Sequence, residues 1–276
     1  MPSESFDYCG IFNEIEEVLF TKYQLSSEKD LKEMKILMVN RCGYLTYGIE
    51  NYFFNLCELL RQKGHEAIIF TTKDAKNIDK QYSDYFVEKI NNDNIGSIPL
   101  RKKIAHIPKI IYSFEAQYKI ERLISDTRPD IAHIHGISRL ISPSILPVIK
   151  RFNIPIACSL YDSRLICPNY RFFSKGKICQ ACKGNKYYNV VIKKCIRGSL
   201  SLSMLACVEY YIHSTFNMFS GYVDTFVVPS FFLKQKMGEC GFNPSKFICI
   251  PHFTPLDKII TEGKFCDYIV YFGRLV

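Results

Sequence analysis

The sequence predicts an α/β fold, a doubly wound, Rossmann-like parallel sheet with helices on both faces. Three observations predict it. Apolar runs of strand length alternate with amphipathic stretches of helix length along most of the 276 residues. The first of these, Lys35 to Thr72, reads as a complete strand–loop–helix–strand unit. There is no run of about 18 apolar residues and no internal repeat, so neither a membrane span nor a solenoid competes.

Lys35-Ile-Leu-Met-Val-Asn40 has the length of a buried strand. A turn-rich segment, Arg41 to Gly48, follows it. Ile49, Phe53, Leu56 and Leu60 recur at spacings of four, three and four, which lays them on one helical face. Gly64 stands where a helix C-terminal glycine belongs, and Ala67 to Thr71 is the second strand. Residues 72–95 are polar and 96–103 form a turn-rich link. Pro108 opens a helix expected to reach Thr127, and Asp130 to His135 is a strand. A helix lies between Arg139 and Phe152, begun or interrupted near Pro143, and Ile154 to Leu160 is the next strand. Further on come a helix over Leu200 to Phe219, a strand over Thr225 to Val228, a helix capped by Ser230 and ended at Gly241, and a strand over Phe247 to Ile250. Residues 1–33 are expected as an acidic N-terminal extension, 34–253 as one domain with a Cys-rich insertion at 163–197, and 254–276 as a linker followed by a first strand of a further domain.

Hydrophobic content of 47% and aromatic content of 14% exclude a disordered tail. The net charge is +9, and between Ser163 and Val208 there are nine Lys and Arg and no Asp or Glu, so that segment alone equals the whole excess. A local basic field suits a phosphorylated ligand, an anionic membrane surface or nucleic acid; a solvated basic face is the plainer reading. Twelve cysteines with no secretory signal pattern in residues 1–20 predict a reducing, cytoplasmic setting, with peripheral attachment at the inner membrane face allowed by the basic segment.

Three sets of residues carry chemistry. Gly43 and Gly48 do not have dinucleotide-loop spacing, and the second strand ends in Thr71-Thr72 without an acidic residue, so a dinucleotide site is disfavoured. The loop still opens onto a helix N-terminus, where a phosphate or sugar can meet backbone N–H groups near Gly48 and where Glu50 complements the dipole. His133 and His135 share one face of a strand. His133 reads as a satisfied core histidine. His135 lies at the carboxyl end, and Asp162 at the end of the next strand, a pair suited to binding sugar hydroxyls or moving protons. Cys167, Cys179, Cys182 and Cys195 form C-x11-C-x2-C-x12-C, which predicts a structural zinc site with four thiolates; unligated thiols are the alternative.

In order along the chain, these stretches resemble the N-terminal domain of family 4 glycosyltransferases, retaining enzymes of the GT-B fold. Met34-Lys-Ile-Leu-Met-Val-Asn40 is similar to their opening strand, and Tyr47-Gly48-Ile49-Glu50 to their Gly-Gly-x-Glu loop with Tyr47 in place of the first glycine. Arg61 to His65, Arg128 to His135 and Ser159-Leu-Tyr-Asp162 resemble further landmarks, with Tyr161 where the family has His. Cys167-Pro-Asn-Tyr170 and the cysteines after it resemble an insertion of one branch. Val228-Pro-Ser230, Ile250-Pro-His-Phe253 and Tyr271 to Leu275 resemble the last strands, the approach to the linker and the first strand of the second domain.

The resemblance implies a nucleotide-diphosphate sugar as donor, a glycan or lipid-linked acceptor, and transfer with retention. It places Gly48 near the donor diphosphate, His135 at the reaction centre and Arg274 on the leaving diphosphate. It also implies that the rest of the donor half is missing or supplied by another chain, so little transferase activity is expected of the 276 residues alone. A non-catalytic or split binding domain is the second reading. A nucleic-acid module on the Cys cluster ranks last, because the cluster is embedded in an α/β pattern without a docking helix.

Overall fold

A computed structural model of the chain describes residues 33–89, 111–137, 141–253 and 267. The expected extension, the 96–103 link, Pro108 and Arg274 lie outside those residues, as does nearly all of 254–276. The sheet holds β1 (Lys35–Asn40), β2 (Glu66–Phe70), β3 (Ile131–Gly136), β4 (Ile156–Ser159), β7 (Thr225–Val228) and β8 (Phe247–Cys249). Their order is β2-β1-β3-β4-β7-β8, with every pairing parallel. A separate two-stranded hairpin of β5 (Phe173–Ser174) and β6 (Lys177–Ile178) lies in the insertion. Lys175 and Gly176 both have positive φ (51° and 77°), the backbone a tight two-residue hairpin turn requires.

Strand parity divides the core into two layers. Leu37, Val39, Ile68, Phe70, Ala132 and Ile134 face α2 (Phe114–Thr127) and α3 (Ile145–Arg151). Ile36, Met38, Ala67, Ile69 and Ile131 face α1 (Gly48–Gln62), which buries Phe53, Leu56 and Leu60 against them. Burying side chains of this size stabilises the fold by about 1.5–3 kcal/mol each. The remaining helices are α4 (Tyr188–Ile192), α5 (Leu200–Thr215) and α6 (Phe231–Glu239).

Several helix ends differ from the periodicity reading. The helix expected from Pro108 is described from Phe114, because Ser113 accepts a hydrogen bond from the Ala116 N–H and caps it there. The helix between Arg139 and Phe152 is the short α3, begun after Pro143. The expected cap at Ser230 is present, accepting from the Leu233 N–H, although α6 stops at Glu239 before Gly241.

One irregularity positions the site. Val39 pairs with Ile134, but Asn40 pairs with Gly136, so the register slips by one residue at the carboxyl end of β3. His135 is the residue left over, a β-bulge at the sheet edge.

Candidate functional site

The chain leaves β1 for β2 on one side and for β3 on the other, so the β1/β3 seam is the topological switch point of the sheet. Ligands of such sheets bind outside the carboxyl ends there, and that is where a cavity of about 280 Å³ opens. Asn40 and Arg41 enter it from β1, His135 and Gly136 from β3, and Tyr161 and Asp162 from the segment after β4. Glu209 and His213 of α5 close the far wall.

The seam is tightly built. The Arg41 N–H donates to the Gly136 carbonyl at 3.0 Å, and the Thr72 hydroxyl donates to the Arg41 carbonyl at 2.7 Å. A Cβ on Gly136 would lie 2.6 Å from Asn40 Oδ1, so glycine is required by close approach. Asn40 Nδ2 donates to the Cys42 carbonyl, while its Oδ1 is buried without a hydrogen bond.

The rings of His133 and His135 are in contact, with centroids 4.1 Å apart and planes tilted by 39°. His133 Nε2 meets the Ser159 hydroxyl at 2.8 Å, the satisfied core histidine the sequence predicts. His135 Nδ1 lies 2.5 Å from Tyr161 Oη, and its Nε2 is buried with no partner. Tyr52 and His252 complete an aromatic wall: their rings lie 4.7 Å apart, and His252 lies 5.1 Å from Tyr161. Burial holds the His133 pKa down to about 4. Burial, with lesser contributions from His133 and His252, holds His135 well below the ordinary histidine value. Burial likewise drives the Tyr161 hydroxyl well above its usual range. At neutral pH the imidazole of His135 is therefore uncharged and Tyr161 is protonated, and Nε2 is a single unpaired hydrogen-bonding atom.

The predicted residues are not all in one place. His135 and Asp162 line the same cavity, but they are not paired: Asp162 accepts from the Arg164 N–H at 2.9 Å and from its guanidinium at 3.2 Å. Gly48 begins α1 beside the cavity-lining Ile49, and a Cβ there would meet nothing within 4 Å, so its backbone is open to a ligand. Glu50 accepts from the Tyr47 N–H at 3.1 Å through one oxygen, while the other is buried without a hydrogen bond. Arg274 lies outside the described residues.

The predicted zinc site requires correction. Cys167, Cys179, Cys182 and Cys195 do line one small cavity, joined by Cys240 from beyond α6. Among the described residues, however, no three His, Cys, Asp or Glu side chains are placed to hold a metal ion. A four-thiolate centre needs every sulfur about 2.3 Å from one point. Here Cys179 Sγ is 3.1 Å from Lys193 Nζ, and Cys195 Sγ is 3.8 Å from the Ser174 hydroxyl. The thiols are all free and share a cavity without converging.

Sequence reasoning did not single out Arg41, Tyr52, Glu209, His213 or His252. Arg41 carried a usable signal, being the first residue beyond the first strand. Glu209 and His213 carried none, because α5 is distant in sequence and reaches the cavity only by packing.

Residues 46–180 match the family described as Glycosyltransferase Family 4. Over this stretch the chain is similar to family 4 glycosyltransferases. It holds Gly48, Glu50, His135 and Asp162; it begins after Asn40 and Arg41 and ends before α5, so residues on both sides of it complete the cavity lining. A Klebsiella pneumoniae protein described as "Uncharacterized 42.6 kDa protein in cps region" is 26% identical over 153 residues, covering 52% of this chain and 40% of that protein. A solved UDP-N-acetylglucosamine 2-epimerase aligns with a TM-score of 0.41 and 14% identity, covering 79% of this chain and 48% of its own. The enzyme of that name from Rickettsia bellii gives 0.38 and 13%, covering 78% and 43%. The chain thus spans less than half the length of each of these relatives.

Proposed function

We propose that residues 34–253 form the acceptor-side domain of a glycosyltransferase that moves a sugar from a nucleotide-diphosphate donor to a glycan or lipid-linked acceptor, with retention. The observation that carries this reading is the meeting of the family 4 stretch with the switch-point cavity: buried, uncharged His135, whose Nε2 has no hydrogen-bond partner, lines the same cavity as Arg41. An uncharged imidazole suits a hydrogen bond to a sugar hydroxyl. Arg41 offers positive charge to the donor diphosphate, and the open backbone at Gly48 lets phosphate oxygens approach the α1 N-terminus. Neutral donors and fixed charges of this kind favour a transition state in which a diphosphate departs. Asp162 orients Arg164 towards the same cavity.

The test has two arms. Saturation-transfer NMR on the purified chain, against a panel of nucleotide-diphosphate sugars, is expected to show contacts that His135→Ala and Arg41→Ala weaken. Deleting the gene is expected to alter a cell-surface glycan, restored by the natural gene and not by His135→Ala. The reading fails if no donor touches the cavity and the glycans of the deletion strain are unchanged.

A further inference from the structure

We infer that α4 and α5, with the segment joining them, form a docking face for an anionic lipid bilayer. This face lies outside the switch-point cavity and does not rest on the transferase reading.

Helix α5 is built inside out. The side it buries carries Ser203, Ala206 and Glu209, whereas Leu200, Met204, Val208 and Tyr211 stand 48%, 47%, 50% and 39% exposed. Their spacings of four, four and three place them on one stripe. Helix α4 packs beside α5: Tyr187, at its start, contacts the rings of Tyr210 and Tyr211 at 5.2 and 5.4 Å. On α4, Ile192 is 67% exposed and extends the apolar surface. The link between the helices is tied down by the Ile196 N–H, which donates to the Ser203 hydroxyl at 3.2 Å. An apolar stripe on an ordinary surface helix faces the core, so one facing solvent marks an interaction surface.

Charge selects the occupant. Lys186 precedes α4, and Lys194 and Arg197 lie in the link; all three are exposed and form no salt bridge among the described residues. No carboxylate occurs from Ser163 to Val208 to offset them. A two-fold pairing with a second copy would set these cations against one another. Nucleic acid would use the cations and the exposed Tyr188 and Tyr211 rings but not Leu200, Met204, Val208 and Ile192, which offer no π-face for stacking. An anionic bilayer satisfies both: Leu, Met, Val and Ile enter the headgroup–acyl boundary while Lys and Arg meet lipid phosphates.

The test is co-sedimentation of the purified chain with vesicles of phosphatidylcholine alone or with one third phosphatidylglycerol. Binding is expected to the anionic vesicles and to fall steeply between 0.05 and 0.5 M salt, because surface charge is screened on that scale (about 10 Å at 0.1 M). The triple change Leu200→Ser, Met204→Ser and Val208→Ser is expected to lower binding at least about tenfold. Lys194→Gln with Arg197→Gln is expected to lower it about fivefold per residue. These positions are exposed, and a circular-dichroism melt confirms that each variant folds. Absence of binding to anionic vesicles at low salt overturns the inference. So does a triple Ser variant that binds as well as the parent, which would assign the face to a plain polyanion, or a parent dimer that the triple change dissolves, which would assign it to a second copy.

Discussion

His135 Nδ1 and Tyr161 Oη lie 2.5 Å apart across the β3–β4 seam, with His135 buried and Tyr161 half-buried. Through this contact the bulged strand end of β3 is held against the segment after β4. Tyr161, where the family resemblance leads one to expect an imidazole, thereby takes part in fixing the orientation of the site histidine.

Tyr161→Phe removes the hydroxyl and leaves His135 Nδ1 buried without a partner. The expected cost is about 1–3 kcal/mol of stability, read from the urea midpoint. The imidazole nitrogen shifts of His135 should change in the same variant, because the tautomer is no longer set by Tyr161. Unchanged shifts would show that the contact does not orient the ring.

Acid sensitivity follows from the buried histidines. The folded-state pKa of His133 is about 4 and that of His135 is also depressed, whereas unfolded histidine titrates near 6.5. Below about pH 6.5 the unfolded chain takes up protons that the folded chain refuses, so stability falls as pH falls from there towards 4. The slope is at most about 1.4 kcal/mol per pH unit for each histidine. His133→Gln, which keeps a partner for Ser159, should remove one histidine's share. A denaturation series from pH 7 to 4.5 measures it, and equal slopes in parent and variant would contradict the assignment.

Gly136→Ala places a methyl group 2.6 Å from Asn40 Oδ1, so the buried Asn40 amide must shift to admit it. Overpacking of this kind costs about 1–3 kcal/mol. The accompanying change should appear at Asn40, Arg41 and Cys42, whose amide resonances report the loop after β1.

Cys179 should be the most reactive thiol of its cluster. Burial alone would raise its pKa, but the Ala181 backbone N–H and the Lys193 ammonium bring it below the ordinary value. Cys182 is pushed up to about 12, first by burial and then by neighbouring thiols, and Cys57 and Cys158 are also pushed up to about 12. Iodoacetamide at pH 7.5 is therefore expected to label Cys179 first, with Lys193→Ala slowing it several-fold. Mass spectrometry of tryptic peptides gives the order, and labelling of Cys182 ahead of Cys179 would reverse it.

The sequence by itself determined the sheet and its principal helices, because burial periodicity is a local property. Lys35–Asn40 must be a two-faced buried strand, and Ile49, Phe53, Leu56 and Leu60 must share a helical face wherever the chain goes. It also determined the family 4 stretch and named His135, since a histidine at a strand's carboxyl end before glycine is readable in one dimension. Tertiary structure alone decided what His135 touches: a one-residue register slip against β1 created the bulge, and pairing of β3 with β4 brought Tyr161 to it. It decided that four well-spaced cysteines would share a cavity without converging, since sequence spacing fixes how far thiols can reach and not where their side chains point. It also turned α5 so that Glu209 and His213 line the cavity while its apolar stripe faces outward, an orientation set by which neighbours pack against the helix rather than by its own residues.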